Sequence, residues 1–239
     1  MSKLARVLLF RPTALVIMAG RWLASLAGTR VGRHTLRPPL RLFARTVLYA
    51  RSLPLTRPRT QQALMTPTLT ELIEEHEYIT AIPCACRATA PPCEQELHEE
   101  HEQDTCLSFG PVAVLQQLSG VGRRVSREEA KRICRRAADA GQVHHAIYSL
   151  GMLAEVCNCC VGSCTVLAFY HAGMPGAVRP TGLRAERTDA CGGCRERGGP
   201  ICERICPYAQ KPGAEDCIGC GLCARHCPND AIRMVEAVE

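Results

Sequence analysis

The 239-residue chain is long enough for one or two folded domains, and 17 of its residues are cysteine, whereas aromatic residues make up only 4%. The cysteines lie in tight CxC, CC and CxxC clusters. Such short spacings suit a shared metal centre better than crosslinks that span a small secreted domain. The composition therefore argues against a disulfide scaffold and favours a reducing, cytoplasmic location.

The net charge of +6 is distributed unevenly along the chain. Residues 1–70 contain 12 Lys and Arg and no Asp or Glu. By difference from the totals of 29 basic and 23 acidic residues, the remainder carries 17 basic and 23 acidic ones. This asymmetry predicts a basic arm, residues 1–67, attached to a mildly acidic body.

Apolar stretches of the arm are broken by Arg6, Arg11, Arg21 and Arg30. None reaches the ~18–20 uninterrupted apolar residues that a membrane-spanning helix needs. The same arginines interrupt the apolar region that a secretory signal requires. Two interpretations remain open. Residues 1–65 form basic amphipathic helices at an anionic membrane surface, which would be the inner membrane, or they pack on the body or a partner subunit.

Two helices are predicted in the body, residues 68–172. The first runs from Thr70, its N-cap, to Tyr78. The second begins at the capping-box pair Ser126 and Glu129 and ends near Gly141. Residues 107–156 are interpreted as helical throughout. A linker rich in Gly, Pro and Arg, residues 173–187, then leads to a C-terminal domain, residues 188–239.

The C-terminal domain contains two cysteine runs of related spacing, each followed by proline. The cysteines of the second run are separated by two, two and three residues: Cys217, Cys220, Cys223 and Cys227. Those of the first are separated by two, seven and three residues: Cys191, Cys194, Cys202 and Cys206. Closely spaced thiolates of this kind hold [4Fe–4S] clusters, and the proline after each fourth cysteine argues against a zinc ribbon.

Residues 188–235 resemble a bacterial two-[4Fe–4S] ferredoxin domain, most closely at Asp216–Cys223 and Cys227–Ile232. The resemblance implies two [4Fe–4S] clusters. In such ferredoxins the last cysteine of each run binds the other cluster. One cluster is therefore expected on Cys191, Cys194, Cys202 and Cys227, and the other on Cys206, Cys217, Cys220 and Cys223. Because only ten residues separate the two runs, the usual strand between the halves is expected to be missing.

Eight further cysteines form two groups upstream of this domain. One group is Cys84, Cys86, Cys93 and Cys106, and the other is Cys157, Cys159, Cys160 and Cys164. Neighbouring thiolates repel unless a cation neutralises them, so both groups are predicted to bind metal. Each group could bind its own cluster, the two could pool their ligands for one cluster, or zinc could bind them structurally. We favour a third iron–sulfur centre, with zinc as the alternative.

Residues 80–190 resemble a CxCR…CNCC module that precedes ferredoxin domains in poorly characterised iron–sulfur proteins. The resemblance includes Arg87, Cys106–Gly110 and Gly141–His144, and it implies no activity. His144 and His145 could tune or ligate a centre, and a core or capping position is the more ordinary interpretation. Cys134, on the apolar stripe of the second helix, is predicted to be a small buried hydrophobe.

The predicted fold class is α+β, with a mostly helical cysteine-rich N-terminal and middle region before the small two-cluster domain. The leading functional hypothesis is a ferredoxin-like electron carrier, or the electron-transfer subunit of a redox complex, that serves a redox protein partner. The alternatives are a redox enzyme with an unusual cluster at the upstream cysteines and a redox-sensing DNA-binding regulator. No nucleic-acid partner is expected, because Arg132, Arg135 and Arg136 supply charge without base-reading residues.

Overall fold

A computed structural model describes residues 48–54, 68–89, 106–149, 152–174, 177–194 and 199–237, together with residues 19–27 and isolated positions between 29 and 42. Cys93 and most of the predicted basic arm lie outside the described residues. The described part contains a large sheet, a small two-stranded sheet and short helices. The fold class is therefore α+β.

The large sheet has seven strands in the order β4-β2-β3-β6-β5-β1-β7. Every neighbouring pair is antiparallel except β1 and β7, which are parallel. The strands are β1 (Leu48–Ser52), β2 (Ile79–Ile82), β3 (Cys106–Phe109), β4 (Arg123–Val125), β5 (Val143–Ser149), β6 (Met152–Cys159) and β7 (Val178–Arg179).

The second sheet pairs β8 (Leu183–Arg187) antiparallel with β9 (Ile232–Glu236). These strands flank the C-terminal cysteine runs, and residues 207–216 between the runs contain no strand. The predicted linker, residues 173–187, contains β7 and β8. The helices that follow β1 are α1 (Leu69–Glu74), α2 (Ala85–Thr89), α3 (Gly110–Leu118), α4 (Arg127–Asp139), α5 (Thr165–His171), α6 (Ile201–Arg204) and α7 (Leu222–Arg225).

The prediction of a mostly helical middle region is wrong. Residues 107–156 contribute four strands to the large sheet, β3 to β6, as well as two helices. Short apolar runs of 4–8 residues do not separate a buried strand from a buried helix by periodicity alone. Here β5 and β6 are separated only by residues 150 and 151, which is the spacing of a β-hairpin.

The two helices that the sequence predicts in the body both begin with a side-chain cap. The Oγ of Ser126 accepts a hydrogen bond from the amide of Glu129 at 3.1 Å, which confirms the predicted start of α4. Helix α1 begins two residues earlier than predicted, because Thr68 rather than Thr70 is its N-cap. Thr68 and Glu71 form a reciprocal capping box, in which each side chain accepts a hydrogen bond from the other's backbone amide.

The main hydrophobic core lies between the sheet and helices α1 and α4. Its fully buried members include Ile73, Ile79, Phe109 and Ile133. The predicted apolar stripe of α4 is buried in this core, and Cys134 is part of it. Burial raises the pKa of the Cys134 thiol to about 12, so this cysteine is a neutral core side chain, as predicted.

A second core joins the sheet to the C-terminal cysteine runs. Leu167 from α5 packs there with Tyr208, Ile218 and Leu222. Helix α7 also contacts α4, since the Arg225 guanidinium pairs with the Asp139 carboxylate. The ring of His226 lies 2.9 Å from the carbonyl oxygen of Ala138. The C-terminal segment is therefore packed against the body.

The described part of the arm, residues 19–27, is helical and packs on the body. Arg21 donates a hydrogen bond to the carbonyl oxygen of Ser163 at 2.7 Å, and Ala24 and Ala27 are buried. For these residues alone, this contact agrees with the interpretation that the arm packs on the body. In the described part of the chain, no helix has both the length and the apolar character to cross a membrane.

The two threonines at the start of α1 provide a matched test of its capping. Replacing Thr68 by Ala removes the cap and should lower the free energy of unfolding by about 1 kcal/mol. Replacing the exposed Thr70 by Ala should change it by less than about 0.5 kcal/mol. Urea denaturation of both variants measures the difference. Equal losses would contradict the assignment of Thr68 as the N-cap.

Candidate metal centres

Five C-terminal cysteines line one cavity: Cys202, Cys206, Cys217, Cys220 and Cys223. Tyr208, Gln210 and Leu222 line the same cavity. The cavity therefore combines the three closely spaced cysteines of the second run with the last two cysteines of the first. All of the five except Cys202 make up one of the two ligand sets expected from the resemblance.

The other four C-terminal cysteines are only partly brought together. Cys202 and Cys227 belong to one cluster of packed side chains, with Ala185 and Ile232. Cys191 is exposed and Cys194 is half-buried. Backbone hydrogen bonds from Cys191 to Thr188, and from Thr188 to Ala231, place this turn beside the start of β9. Within the remaining ligand set, Cys191 and Cys194 therefore lie nearer the surface than Cys202, which is buried.

Backbone amides point at several of these sulfurs. The amide of Gln210 donates to Cys206 Sγ at 3.4 Å, and the amide of Ala231 donates to Cys227 Sγ at 3.3 Å. Burial and the neighbouring Cys217 raise the pKa of the Cys223 thiol to about 12. The buried thiols are thus protonated unless a metal replaces the proton. Thiolates that accept amide hydrogen bonds are the donor set that iron–sulfur clusters use, so these residues fit the group.

Gly219 lets the loop of the second run approach β8. A Cβ there would lie 2.1 Å from Thr181 Oγ1 and 2.2 Å from the carbonyl oxygen of Leu183, and the residue has φ +79°. Thr181 in turn donates to the carbonyl oxygen of Gly219 at 3.1 Å. The glycine therefore serves the contact between the loop and the strand, which differs from the approach to a cluster that its position in the motif suggests.

Comparison with known proteins identifies the second run. A family model described as a 4Fe-4S binding domain matches residues 213–233. Residues 213–233 form a ferredoxin-type iron–sulfur segment. The match includes the cysteines from Cys217 to Cys227 and supports a 4Fe–4S cluster and a general role in electron transfer. Searches of curated proteins and of solved structures return no match.

The upstream cysteines of the two groups meet in one buried row. One packed cluster contains Cys84, Cys86, Cys106 and Cys157. Cys157 also packs against the core that contains Cys159 and Cys164, whose sulfurs lie within 4.8 Å of each other. The hydrogen bond from Cys84 to Cys106, together with burial, raises the pKa of the Cys84 thiol to about 11. We call these six residues the thiol row. It joins both sequence groups, which were separated by about fifty residues of chain.

Two of the eight upstream cysteines are not placed in the thiol row. Cys93 lies outside the described residues. Cys160 is buried next to Cys159 in the chain and is not assigned to the row. Metal binding by either residue therefore stays a prediction.

The sheet register explains how the row forms. Ile82 on β2 lies opposite Cys106 on β3. Because Leu107 on β3 lies opposite Val156 on β6, Cys106 lies beside Cys157. Cys157 lies opposite His145, and His145 lies opposite Ser52. Directly opposed residues in antiparallel strands project to the same face. The pairing of β3 with β6 therefore joins the two cysteine groups, information that no local spacing contains.

His145 adjoins the row, although it was interpreted as a core or capping residue. A ring nitrogen of His145 lies within 4.8 Å of the Cys159 and Cys164 sulfurs. Its Nε2 is 2.8 Å from the Tyr208 hydroxyl, and its Nδ1 is buried with no hydrogen-bond partner among the described residues. The neighbouring His144 faces the other way, with Nδ1 2.5 Å from the side chain of Asn158.

Arg87 holds the two cysteine groups together through its guanidinium. Its guanidinium donates to the side chain of Gln142 at 2.7 Å and to the carbonyl oxygen of Asn158. Gln142 and Asn158 are both buried. The arginine of the CxCR motif is therefore bound to the residue between Cys157 and Cys159 in the CNCC motif.

Removing this guanidinium should loosen the junction between the two groups. We expect Arg87→Ala to lower the free energy of unfolding by about 2 kcal/mol, because hydrogen bonds from a charged donor to buried acceptors are lost. The matched control is Arg132→Ala, an exposed arginine on α4, which should change it by less than about 0.5 kcal/mol. Thermal and urea unfolding at equal metal content measure the stability of both variants. A similar loss of stability in the control would contradict this interpretation.

Proposed function

We propose that the protein is a ferredoxin-like electron-transfer protein, a carrier or the electron-transfer subunit of a redox complex, with two [4Fe–4S] clusters in its C-terminal domain. The observation that carries the proposal is one cavity, within and beside the matched segment, that is lined by Cys202, Cys206, Cys217, Cys220 and Cys223. When bound, each cluster supplies one-electron redox chemistry.

The residues around this cavity bind and insulate the group. Cys220 is only 8% exposed and Leu222 is 1% exposed, so water is largely excluded from one side. The amide of Leu222 donates to the Cys220 sulfur, and that of Gln210 donates to the Cys206 sulfur. Amide dipoles directed at thiolates stabilise the more negative, reduced state and so tune the potential.

The difference in exposure between the two ligand sets supports a direction of access. Cys191 is exposed and Cys194 is half-buried, whereas the cavity cysteines adjoin the core shared with the body. A redox protein partner can therefore approach the set containing Cys191 most closely. We propose that electrons are exchanged with the partner at this side of the domain.

Single alanine substitutions test the proposed ligand sets. The wild-type chain should bind about 8 iron and 8 sulfide in the C-terminal domain, as two [4Fe–4S] clusters require. Cys206→Ala and Cys220→Ala should remove the same EPR signal of the reduced protein, and Cys202→Ala should remove the other one. Cys134→Ala, which alters a buried cysteine of the main core, is the matched control and should remove neither.

The pairing itself can fail in a recognisable way. If Cys206→Ala removed the signal that depends on Cys202, each run would bind its own cluster and the crossed assignment would be wrong. If no variant altered the iron content, the proposal of two C-terminal clusters would be wrong.

Membrane association of the arm stays a proposal that charge reversal can test. We expect Arg6→Glu with Arg11→Glu to abolish flotation of the full chain with anionic vesicles, because the attraction of basic residues to such surfaces is electrostatic. Arg132→Glu with Arg135→Glu makes the same charge change on α4 and should leave flotation intact. Equal flotation by the two double variants would contradict membrane binding through residues 1–65.

A further inference from the structure

The thiol row is the largest group of buried metal-ligating side chains outside the C-terminal cysteine runs among the described residues. Four of its members, Cys84, Cys106, Cys159 and Cys164, are each less than 9% exposed. Apolar side chains would fill the same space without buried polar atoms, so a row of packed thiols at this place indicates metal ligands.

His145 provides a second, independent observation at one end of the row. The ring is 0% exposed, its Nε2 is bound to the Tyr208 hydroxyl, and its Nδ1 has no hydrogen-bond partner in the described part of the chain. An unpaired buried ring nitrogen is costly. A histidine that binds metal commonly has this arrangement, with one nitrogen for the metal and the other held by a polar neighbour.

The number of sulfurs distinguishes the candidate metals. A structural zinc site takes four ligands. Six contiguous thiols and one imidazole exceed that number, and they form one row rather than two separate quartets. Soft thiolates also suit iron–sulfur clusters, in which several iron atoms share the available ligands. The donor set therefore fits a multinuclear iron–sulfur centre better than one zinc ion.

Tyr208 connects this row to the C-terminal cavity. It follows Cys206 and Pro207 in the chain, lines the cavity with Cys217 and Cys220, and is 4% exposed. Its hydroxyl is hydrogen-bonded to His145 and, at 3.3 Å, to Ser52 Oγ. Its ring also packs in the core that contains Cys159 and Cys164. One buried side chain therefore contacts both cysteine systems.

We propose that the thiol row and His145 bind a third iron–sulfur centre, with ligands pooled from both upstream groups, and that Tyr208 positions His145 and couples this centre to the C-terminal cluster. This proposal depends on the proposed function in one respect, the presence of the C-terminal cluster. One electron leaves the reduced C-terminal cluster and reduces the third centre by one electron, and no bond or proton changes place. The electron originates from the one-electron protein donor of the C-terminal domain.

The pooled ligand set is tested with one cysteine from each upstream group. Anaerobically purified full-length protein should contain more iron and sulfide than the about 8 of each that two [4Fe–4S] clusters hold. Cys106→Ala and Cys159→Ala should each lower both contents and remove the same EPR signal. The signals of the C-terminal clusters should persist in both variants, which also shows that the chain has folded. Cys134→Ala is the control and should keep the full content.

Three results would overturn the third centre: zinc in place of the additional iron, no additional metal, or different EPR signals lost in the two variants. The last would mean that each group binds its own centre. Cys220→Ala separates this failure from that of the proposed function, because it should remove a C-terminal signal and leave the third one.

The coupling is tested with Tyr208→Phe, which keeps the ring and removes only the hydroxyl. We expect unchanged iron and sulfide contents and a shifted midpoint potential of the third centre. Thermal stability should fall as well, because the buried His145 nitrogen loses its hydrogen-bond partner. A merely structural hydroxyl would lower stability and leave the potential unaltered. Tyr170→Phe, which alters a neighbouring tyrosine whose ring contacts Tyr208, is the matched control and should leave the potential unchanged. An unshifted potential in Tyr208→Phe would overturn the positioning role.

Discussion

The pairing of β5 with β6 is the constraint on which both cysteine systems depend. Its register places His145 opposite Cys157 and His144 opposite Asn158. One face of the hairpin therefore presents ligand-type side chains toward the upstream cysteines and Tyr208, and the other presents a buried polar pair toward α4. Because side chains alternate between faces, a slip of one residue would exchange the two sets. Arg87 reinforces this register by binding Gln142 and the Asn158 carbonyl.

The C-terminal domain and the described arm both pack next to this hairpin. Tyr208, Ile218 and Leu222 bury apolar surface in the core shared with the body, which is the larger contribution to docking. The ion pair between Arg225 and Asp139 is partly exposed and adds little, since such pairs are typically worth 0–1 kcal/mol. Arg21 reaches the carbonyl of Ser163, in the turn before Cys164. The upstream cysteines are thus enclosed from two sides by segments distant in sequence.

Local signals in the sequence predicted local features well. Ser126 and Glu129 marked the start of α4, and the apolar stripe placed Cys134 in the core. The first helix was predicted with the wrong cap, because Thr68 and Thr70 are both capping residues and only one has Glu three positions later. The strand β3 was mistaken for helix, because its four buried residues lack the alternation that marks a half-exposed strand. The strand β5 likewise begins with four buried residues, among them His145.

The sequence alone determined the chemistry of this protein. Thiolates spaced by two, two and three residues before a proline can wrap a cluster whatever surrounds them, so the iron–sulfur segment at residues 213–233 was evident from spacing. The tertiary structure alone decided which of the remaining cysteines meet. Cys106, Cys157 and His145 become neighbours only through strand register, and Tyr208 reaches His145 only because the C-terminal segment docks on the sheet. Contacts of this kind depend on long-range pairing and packing, for which a single sequence carries no periodic signal.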